Sequence, residues 1–171
     1  MTTPSTTAPT APTAAERLHL WLEICELQAR YTSALDNDQL EAWTEFFTED
    51  CRYEIIPKEN VDAGLPAPVI YCRNRRMLRD RVLSLRHANI FEGHTYRHMT
   101  SGLVVTGNDG ETITTTSSYI VVITGQTGDS TVYQAGRYDD ELVREDGELR
   151  YRKKRVVFDT LRVQTLLATP I

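Results

Sequence analysis

Hydrophobic positions recur at helical spacing near the start of the chain, three or four residues apart, which places them on one face of an amphipathic helix. We expect this helix to begin at about Ala15, to end near Asp36, and to turn the whole stripe toward a core. A second short helix follows. The stripe of the first helix consists of Leu18, Trp21, Ile24, Cys25, Gln28, Tyr31 and Leu35. The apolar positions of the second are Leu40, Trp43, Phe46 and Phe47.

Strand and helix signals then alternate. In residues 51–56 polar and apolar side chains alternate well enough for a strand. Pro57 ends this strand because proline has no N–H to donate to a ladder. A loop over residues 60–68 precedes a short strand at 69–72. A third helix follows, with Asn74 as its cap. Its apolar side is formed by Met77, Leu78, Val82 and Leu85.

From about Tyr96 the chain consists of long alternating segments rich in Val, Ile, Thr and Tyr, separated by turn residues. We predict four strands, at 97–106, 111–124, 130–143 and 149–163. Helices first and an antiparallel meander last indicate the α+β class. Such long strands do not lie flat beside helices, so we expect a cone: a curved sheet around the N-terminal helices, with an internal pocket and a free outer face.

The composition indicates one domain after a short tail. Residues 1–14 are Thr, Pro, Ala and Ser with Met1, and we predict a disordered tail followed by a single domain over 15–171. Net charge is −5, which argues against a nucleic-acid partner. Cys25, Cys51 and Cys72 have no C-x-x-C spacing, so neither a disulfide framework nor a zinc ribbon is indicated. The sequence shows no signal peptide or membrane span, and we expect a cytoplasmic protein.

The segment from His94 to His98 is a candidate ligand site because two imidazoles lie four residues apart beside Arg97. The sheet is expected to begin inside this segment, so the two histidines need not share a face, and no third ligand is evident. The favoured interpretation is therefore a strand entrance whose polar residues contact loops or a neighbouring chain. We predict no metal site.

A second candidate pairs Asp36, at the end of the first helix, with His98 on the first long strand. In a cone these elements can meet inside the pocket, and a carboxylate that orients an imidazole makes a general base. Tyr31 or Tyr53 could then donate a proton or stabilise an oxyanion. The competing interpretation is an ordinary polar helix end and a structural histidine.

The basic runs 73–86 and 150–155 are balanced by nearby acidic residues. They indicate either a solvated face with ion pairs across strands or a surface for a partner. In the second case, tyrosines on the strands are candidate anchors. These are Tyr119, Tyr133, Tyr138 and Tyr151.

Several segments resemble the small (beta) subunits of Rieske-type aromatic-ring-hydroxylating dioxygenases. The most specific are the stretch N-I-F-E at 89–92, the H-x-Y-R-H run at 94–98 and the M-L-x-D-R pattern at 77–81. The resemblance covers nearly everything after the tail. Within the family the chain is most similar to small subunits of systems that act on aromatic carboxylates, terephthalate first and salicylate second.

The resemblance implies a cone of the scytalone-dehydratase and ketosteroid-isomerase type and a structural role in an α3β3 hexamer. The large (alpha) subunit would hold a Rieske [2Fe–2S] cluster and a mononuclear Fe(II), with NAD(P)H supplying electrons through a reductase. This chain would hold no cofactor, and its scattered cysteines cannot supply the paired Cys and His ligands of a Rieske centre.

We accordingly expect this chain to contribute subunit contacts and no catalytic residue. The alternative is a free-standing cone dehydratase or isomerase that uses Asp36 and His98 as an acid-base pair; a third possibility is a cone that binds a ligand without turnover. The residues expected to contact large or small subunits are Arg79, Phe91, His94, Tyr96, Arg97, His98, Tyr138 and Tyr151.

Overall fold

The structure, a computed structural model, describes residues 12–87, 93–160 and 170–171. Within these residues the helices are α1 (Ala14–Asp36), α2 (Leu40–Trp43), α3 (Lys58–Asp62) and α4 (Arg75–His87). The strands are β1 (Phe47–Pro57), β2 (Ile70–Cys72), β3 (His94–Asn108), β4 (Ile113–Gly125), β5 (Ser130–Glu145) and β6 (Glu148–Phe158).

The strands form one sheet in the order β2-β1-β6-β5-β4-β3. Strands β3 to β6 make the antiparallel meander that the sequence predicts, while β1 runs parallel to β6 and antiparallel to β2. Helix α1 lies against the inner face: the Gln28 amide donates to Ser117 Oγ at 3.0 Å, and the Tyr31 ring contacts those of Tyr138 and Tyr151. The curved sheet around an N-terminal helix confirms the predicted α+β cone.

Helix α1 begins with a capping box. The Thr13 hydroxyl accepts the Glu16 N–H at 3.2 Å, and the Glu16 carboxylate accepts the Thr13 N–H at 2.7 Å, so two donors of the first turn are satisfied. Regular structure therefore starts at Ala14 and not at Ala15. The rest of the predicted tail, residues 1–11, lies outside the described residues.

The predicted apolar stripe of α1 is only partly buried. Leu18 and Trp21 are 58% and 41% exposed, and full burial begins at Ile24. The prediction that Leu18 and Trp21 are buried in a core is wrong: in the second turn Leu20 packs against the core, while Trp21 lies at the rim of the sheet and donates to the Leu103 carbonyl of β3 at 3.4 Å.

Three element boundaries also differ from the prediction. Phe47 is in β1 opposite Tyr151 of β6, and a 3-10 turn, Thr44–Phe46, separates it from α2. Helix α3 occupies the first part of the expected loop at 60–68. Strand β6 ends at Phe158, and residues 161–163 of the predicted strand lie outside the described residues. The cap of α4 is confirmed, since the Met77 N–H donates to Asn74 Oδ1 at 2.9 Å.

A charged pair lies at the centre of the cone. Asp140 of β5 and Lys154 of β6 are register partners, and Lys154 Nζ donates to the two carboxylate oxygens at 3.1 and 3.3 Å. Both side chains are inaccessible to solvent, at 0% exposure for Lys154 and 1% for Asp140. The basic run at 150–155 is thus not solvated throughout: Lys154 points into the core.

Three tyrosine rings surround this ammonium group. Lys154 Nζ lies 3.7 Å from the ring centroid of Tyr138 and 4.5 Å from those of Tyr31 and Tyr151. Such contacts stabilise a desolvated cation through the ring quadrupole. Burial still disfavours both charges: it raises the pKa of Asp140 to about 6 despite the lysine, and it lowers the pKa of Lys154 despite the carboxylate.

The same packing places the four tyrosines that were predicted to anchor a partner in the core of this chain. Tyr119, Tyr133, Tyr138 and Tyr151 are all at most 2% exposed and line the core, and Tyr119 stacks on Tyr138 at 4.5 Å. The prediction that they anchor a partner at the surface is wrong, because these four side chains occupy the inner face of their strands.

We predict that Asp140→Asn will lower the free energy of unfolding by roughly 3–5 kcal/mol, because it leaves the buried Lys154 ammonium without a counter-charge. Denaturant unfolding of the purified chain measures this. Lys58→Met, which removes one partner of the exposed Lys58/Asp62 pair, is the matched control and should cost at most about 1 kcal/mol. Equal losses in the two variants would contradict a central role for the buried pair.

Candidate functional site

The structure brings Asp36 and His98 together, as the sequence predicts. Asp36 Oδ1 lies 2.6 Å from His98 Nδ1, and the His98 backbone N–H donates to both carboxylate oxygens at 3.1 Å. The pair therefore joins the end of α1 to the beginning of β3. A carboxylate can only accept, so Nδ1 carries the hydrogen, and in the neutral ring Nε2 is left as an acceptor.

The accessibility of the pair decides what it can do chemically. The His98 side chain is fully buried and that of Asp36 is 10% exposed; His98 Nε2 has no hydrogen-bond partner among the described residues. A cleft of about 380 Å³ opens beside Asp36 and is also lined by Arg86, His94 and Tyr96. His98 is not one of its described lining residues. The geometry of a general base is present, but the base atom is enclosed.

His94, Tyr96 and His98 share the inner face of β3. Their rings lie 4.6 Å (His94 to Tyr96) and 6.3 Å (Tyr96 to His98) apart. Strand β3 begins at His94, the first residue of the segment, so the two histidines share a face, which the sequence left open. Tyr96 separates the two imidazoles, and no group of three or more His, Cys, Asp or Glu among the described residues could hold a metal ion.

The hydroxyls of Tyr31 and Tyr53 bind the chain itself. Tyr31 donates to the Ile171 carbonyl at 2.7 Å, and Tyr53 both donates to that carbonyl, at 3.2 Å, and accepts the Ile171 N–H, at 2.9 Å. Burial raises the pKa of both phenols, so both remain protonated donors. Ile171, 1% exposed, thus occupies the interior next to the two phenols that the sequence offered as proton donors.

The predicted subunit-contact residues differ in exposure, and His94 is half-buried on the cleft beside Asp36. Arg79 and Arg97 have side chains 50% and 68% exposed; Arg79 pairs with Glu45 at 2.9 Å. By contrast, the His98 side chain is buried and Tyr96 is only 8% exposed. Tyr138 and Tyr151 also lie in the core. These four are not available at the surface of this chain. Phe91, like the whole stretch 89–92, lies outside the described residues.

The cysteines do not fit an iron–sulfur ligand set. Cys51 and Cys72 are buried, and burial raises the pKa of Cys51 to about 12 and also raises that of Cys72. Neither thiol belongs to a group of three or more His, Cys, Asp or Glu side chains among the residues that the structure describes. Cys25 is a free, half-buried residue on α1, where burial also raises its pKa.

The sequence reasoning missed Lys154, Asp140 and Ile171. Charged residues are almost never fully buried, so a basic run predicts a surface. The buried Ile171 follows a stretch outside the described residues, and its sequence position carries no sign of where it packs.

The comparisons identify the class of protein. Residues 16–155 match the family model of the SnoaL-like domain. The anthranilate 1,2-dioxygenase small subunit of Burkholderia cepacia is 63% identical over 157 residues, covering 91% of this chain and 97% of the relative. A terephthalate 1,2-dioxygenase terminal oxygenase beta subunit of Comamonas sp is 33% identical over 150 residues, covering 88% and 97%.

A solved structure supports the same class. The crystal structure of a beta subunit assigned to an aromatic-ring-hydroxylating dioxygenase of Novosphingobium aromaticivorans superposes with a TM-score of 0.84 at 41% identity, covering 91% of this chain and 99% of that one. The chain belongs to the SnoaL-like small (beta) subunits of the aromatic-ring-hydroxylating dioxygenases. No described helix is both long enough and apolar enough to cross a membrane.

We predict that Asp36→Ala will lower the free energy of unfolding by roughly 1.5–3 kcal/mol, because the buried His98 backbone N–H and Nδ1 lose a charged acceptor. Urea unfolding of the chain provides the measurement. Asp38→Asn is the control: the Asp38 carboxylate is 71% exposed and pairs with Arg86, and asparagine tolerates the positive φ of 56° at this position, so the change should cost less than about 1 kcal/mol. If Asp36→Ala is no more costly than Asp38→Asn, the pair does not clamp α1 to β3.

Proposed function

We propose that this chain is the structural, non-catalytic subunit of an oxygenase that hydroxylates an aromatic carboxylate. It assembles with a large subunit in an α3β3 hexamer, where it holds the large subunits in register for electron transfer. The Rieske [2Fe–2S] cluster and mononuclear Fe(II) belong to the large subunit, and NAD(P)H supplies electrons through a reductase. The membership of the chain in the small-subunit family supports this proposal.

One observation supports the non-catalytic role: several charged and phenolic groups of the described cone interior bind one another. Lys154 and Asp140 form an ion pair beside the rings of Tyr31, Tyr138 and Tyr151, and the Tyr31 and Tyr53 hydroxyls hydrogen-bond to Ile171. These groups are therefore engaged within the protein. Their role is to stabilise a rigid subunit.

The substrate proposed is an aromatic carboxylate, with anthranilate ahead of terephthalate. The sequence suggested terephthalate first, but the small subunit of the anthranilate enzyme shares 63% identity with this chain, against 33% for that of a terephthalate enzyme. Both ring carboxylates present the same anionic group, so the ranking rests on sequence similarity alone.

The second candidate is a free-standing dehydratase or isomerase with Asp36 and His98 as acid-base pair. The observation that favours it is the 2.6 Å contact between carboxylate and imidazole, with Nε2 left unpartnered among the described residues. The enclosure of Nε2 weighs against it, because a general base must reach the proton it abstracts.

The test is co-production of this chain with the large subunit, followed by the native mass, the iron content of each subunit and anthranilate turnover with a reductase. We expect a hexamer with all iron in the large subunit. His98→Asn in the assembled complex should keep turnover per hexamer within about twofold of wild type, since His98 touches no reacting atom in this proposal.

Two results would decide against it. A chain that stays a small iron-free oligomer in the presence of the large subunit would refute the structural role. A loss of turnover of more than tenfold in correctly assembled His98→Asn hexamers would instead give the Asp36/His98 pair a part in catalysis.

A further inference from the structure

The outer face of the sheet carries an apolar patch on three adjacent strands. Met99 of β3 is the register partner of Ile120 of β4, which pairs with Ala135 of β5; in the next row Val122 pairs with Val132. Met99, Ile120 and Val132 are 53%, 41% and 55% exposed. We call these five residues the outer patch.

The remainder of the outer face is different in character. Arg155 Nε of β6 lies 2.6 Å from Glu54 of β1, Lys153 pairs with Glu141 of β5 at 3.4 Å, and Arg137 Nε lies 3.0 Å from Asp139. These opposite charges are matched within the chain. Met99, Ile120 and Val132 lie close together on β3, β4 and β5, whereas Tyr71 of β2 and Val104 of β3, 44% and 53% exposed, lie on the same face but apart from them. Adjacent exposed apolar side chains are typical of the centre of a protein–protein interface.

An exposed cation borders the outer patch. Arg97 stands opposite Val122, its side chain is 68% exposed, and it forms a long ion pair with Asp36 at 3.9 Å. On the described strand positions of the patch and the adjoining Ser101/Ser118/Arg137 row there is no acidic side chain. A complementary partner would present apolar side chains at its centre and a carboxylate opposite Arg97.

We propose that the outer patch is a docking site for the large subunit, an inference that rests on the proposed function. It deepens that function by naming the face that makes the contact.

Charge favours the large subunit over a second copy. Contact between the same patches of two copies would bring two Arg97 side chains together, and the described patch positions supply no acidic side chain to meet them. Five positions, each about 4.8 Å across and 7 Å along a strand, give a patch of roughly 170 Å², against roughly 800 Å² per partner in a stable interface. The patch is therefore the apolar centre of a larger contact that the assembly completes elsewhere.

The experiment measures binding of the full chain to the large subunit, by titration and native mass. Ile120→Asp should weaken association at least tenfold, because it places a charge at the apolar centre. Leu65→Asp is the matched control: Leu65 is 54% exposed in the loop after α3 and should change binding less than twofold. Arg97→Glu should weaken binding as well and reduce its dependence on salt.

Ile120→Thr is a second variant in case Ile120→Asp does not fold. Threonine already occupies outer positions of β4 such as Thr116 and Thr124, so this variant should fold and should weaken association to a smaller degree. Unchanged binding by well-folded Ile120→Asp and Ile120→Thr would overturn the docking site while leaving the proposed function intact. If the wild-type chain itself does not bind the large subunit, both proposals fail. If the chain alone self-associates and Ile120→Asp disrupts only that association, the occupant is a second copy and our assignment is wrong.

Discussion

The rest of the structure depends on the charge pair enclosed by aromatic rings at the centre of the cone. Asp140 and Lys154 lie opposite each other on β5 and β6, and Tyr31 of α1 closes over the ammonium group. A buried charge tolerates only an arrangement that keeps its partner in place, so the pair specifies both the register of two strands and the position of the helix.

The sequence predicted the architecture because that depends on periodicity. The meander, the helices and the meeting of Asp36 with His98 follow from spacing and chain order. Lys154 could not be foreseen, because Arg152 is an extra residue in the pairing of β6 with β5: Glu141 pairs with Lys153 and Leu142 with Tyr151. Strict alternation from Tyr151 would have turned Lys153 inward, whereas the irregularity turns Lys154 inward.

Sequence alone also could not separate inner from outer tyrosines or tell where α1 leaves the core. Tyr138 and Tyr151 sit among charged neighbours, which suggested a surface, yet both strands alternate and the rings occupy the inner positions. Leu18 and Trp21 continue the stripe of α1 in spacing but remain 58% and 41% exposed, with Trp21 at the rim of the sheet beside Leu103. Periodicity tells which residues share a face, and only tertiary packing tells whether that face is covered.

The enclosed lysine has a practical consequence for following the motions of this protein. Lys58, Lys153 and Lys154 are the lysines of the sequence, and only Lys154 is sealed from solvent. An amine-directed reagent can modify Lys58 and Lys153 in the native state but reaches Lys154 only when β5, β6 and α1 separate. The rate of modification at Lys154 would therefore report the opening of the cone, free or assembled, without any introduced label.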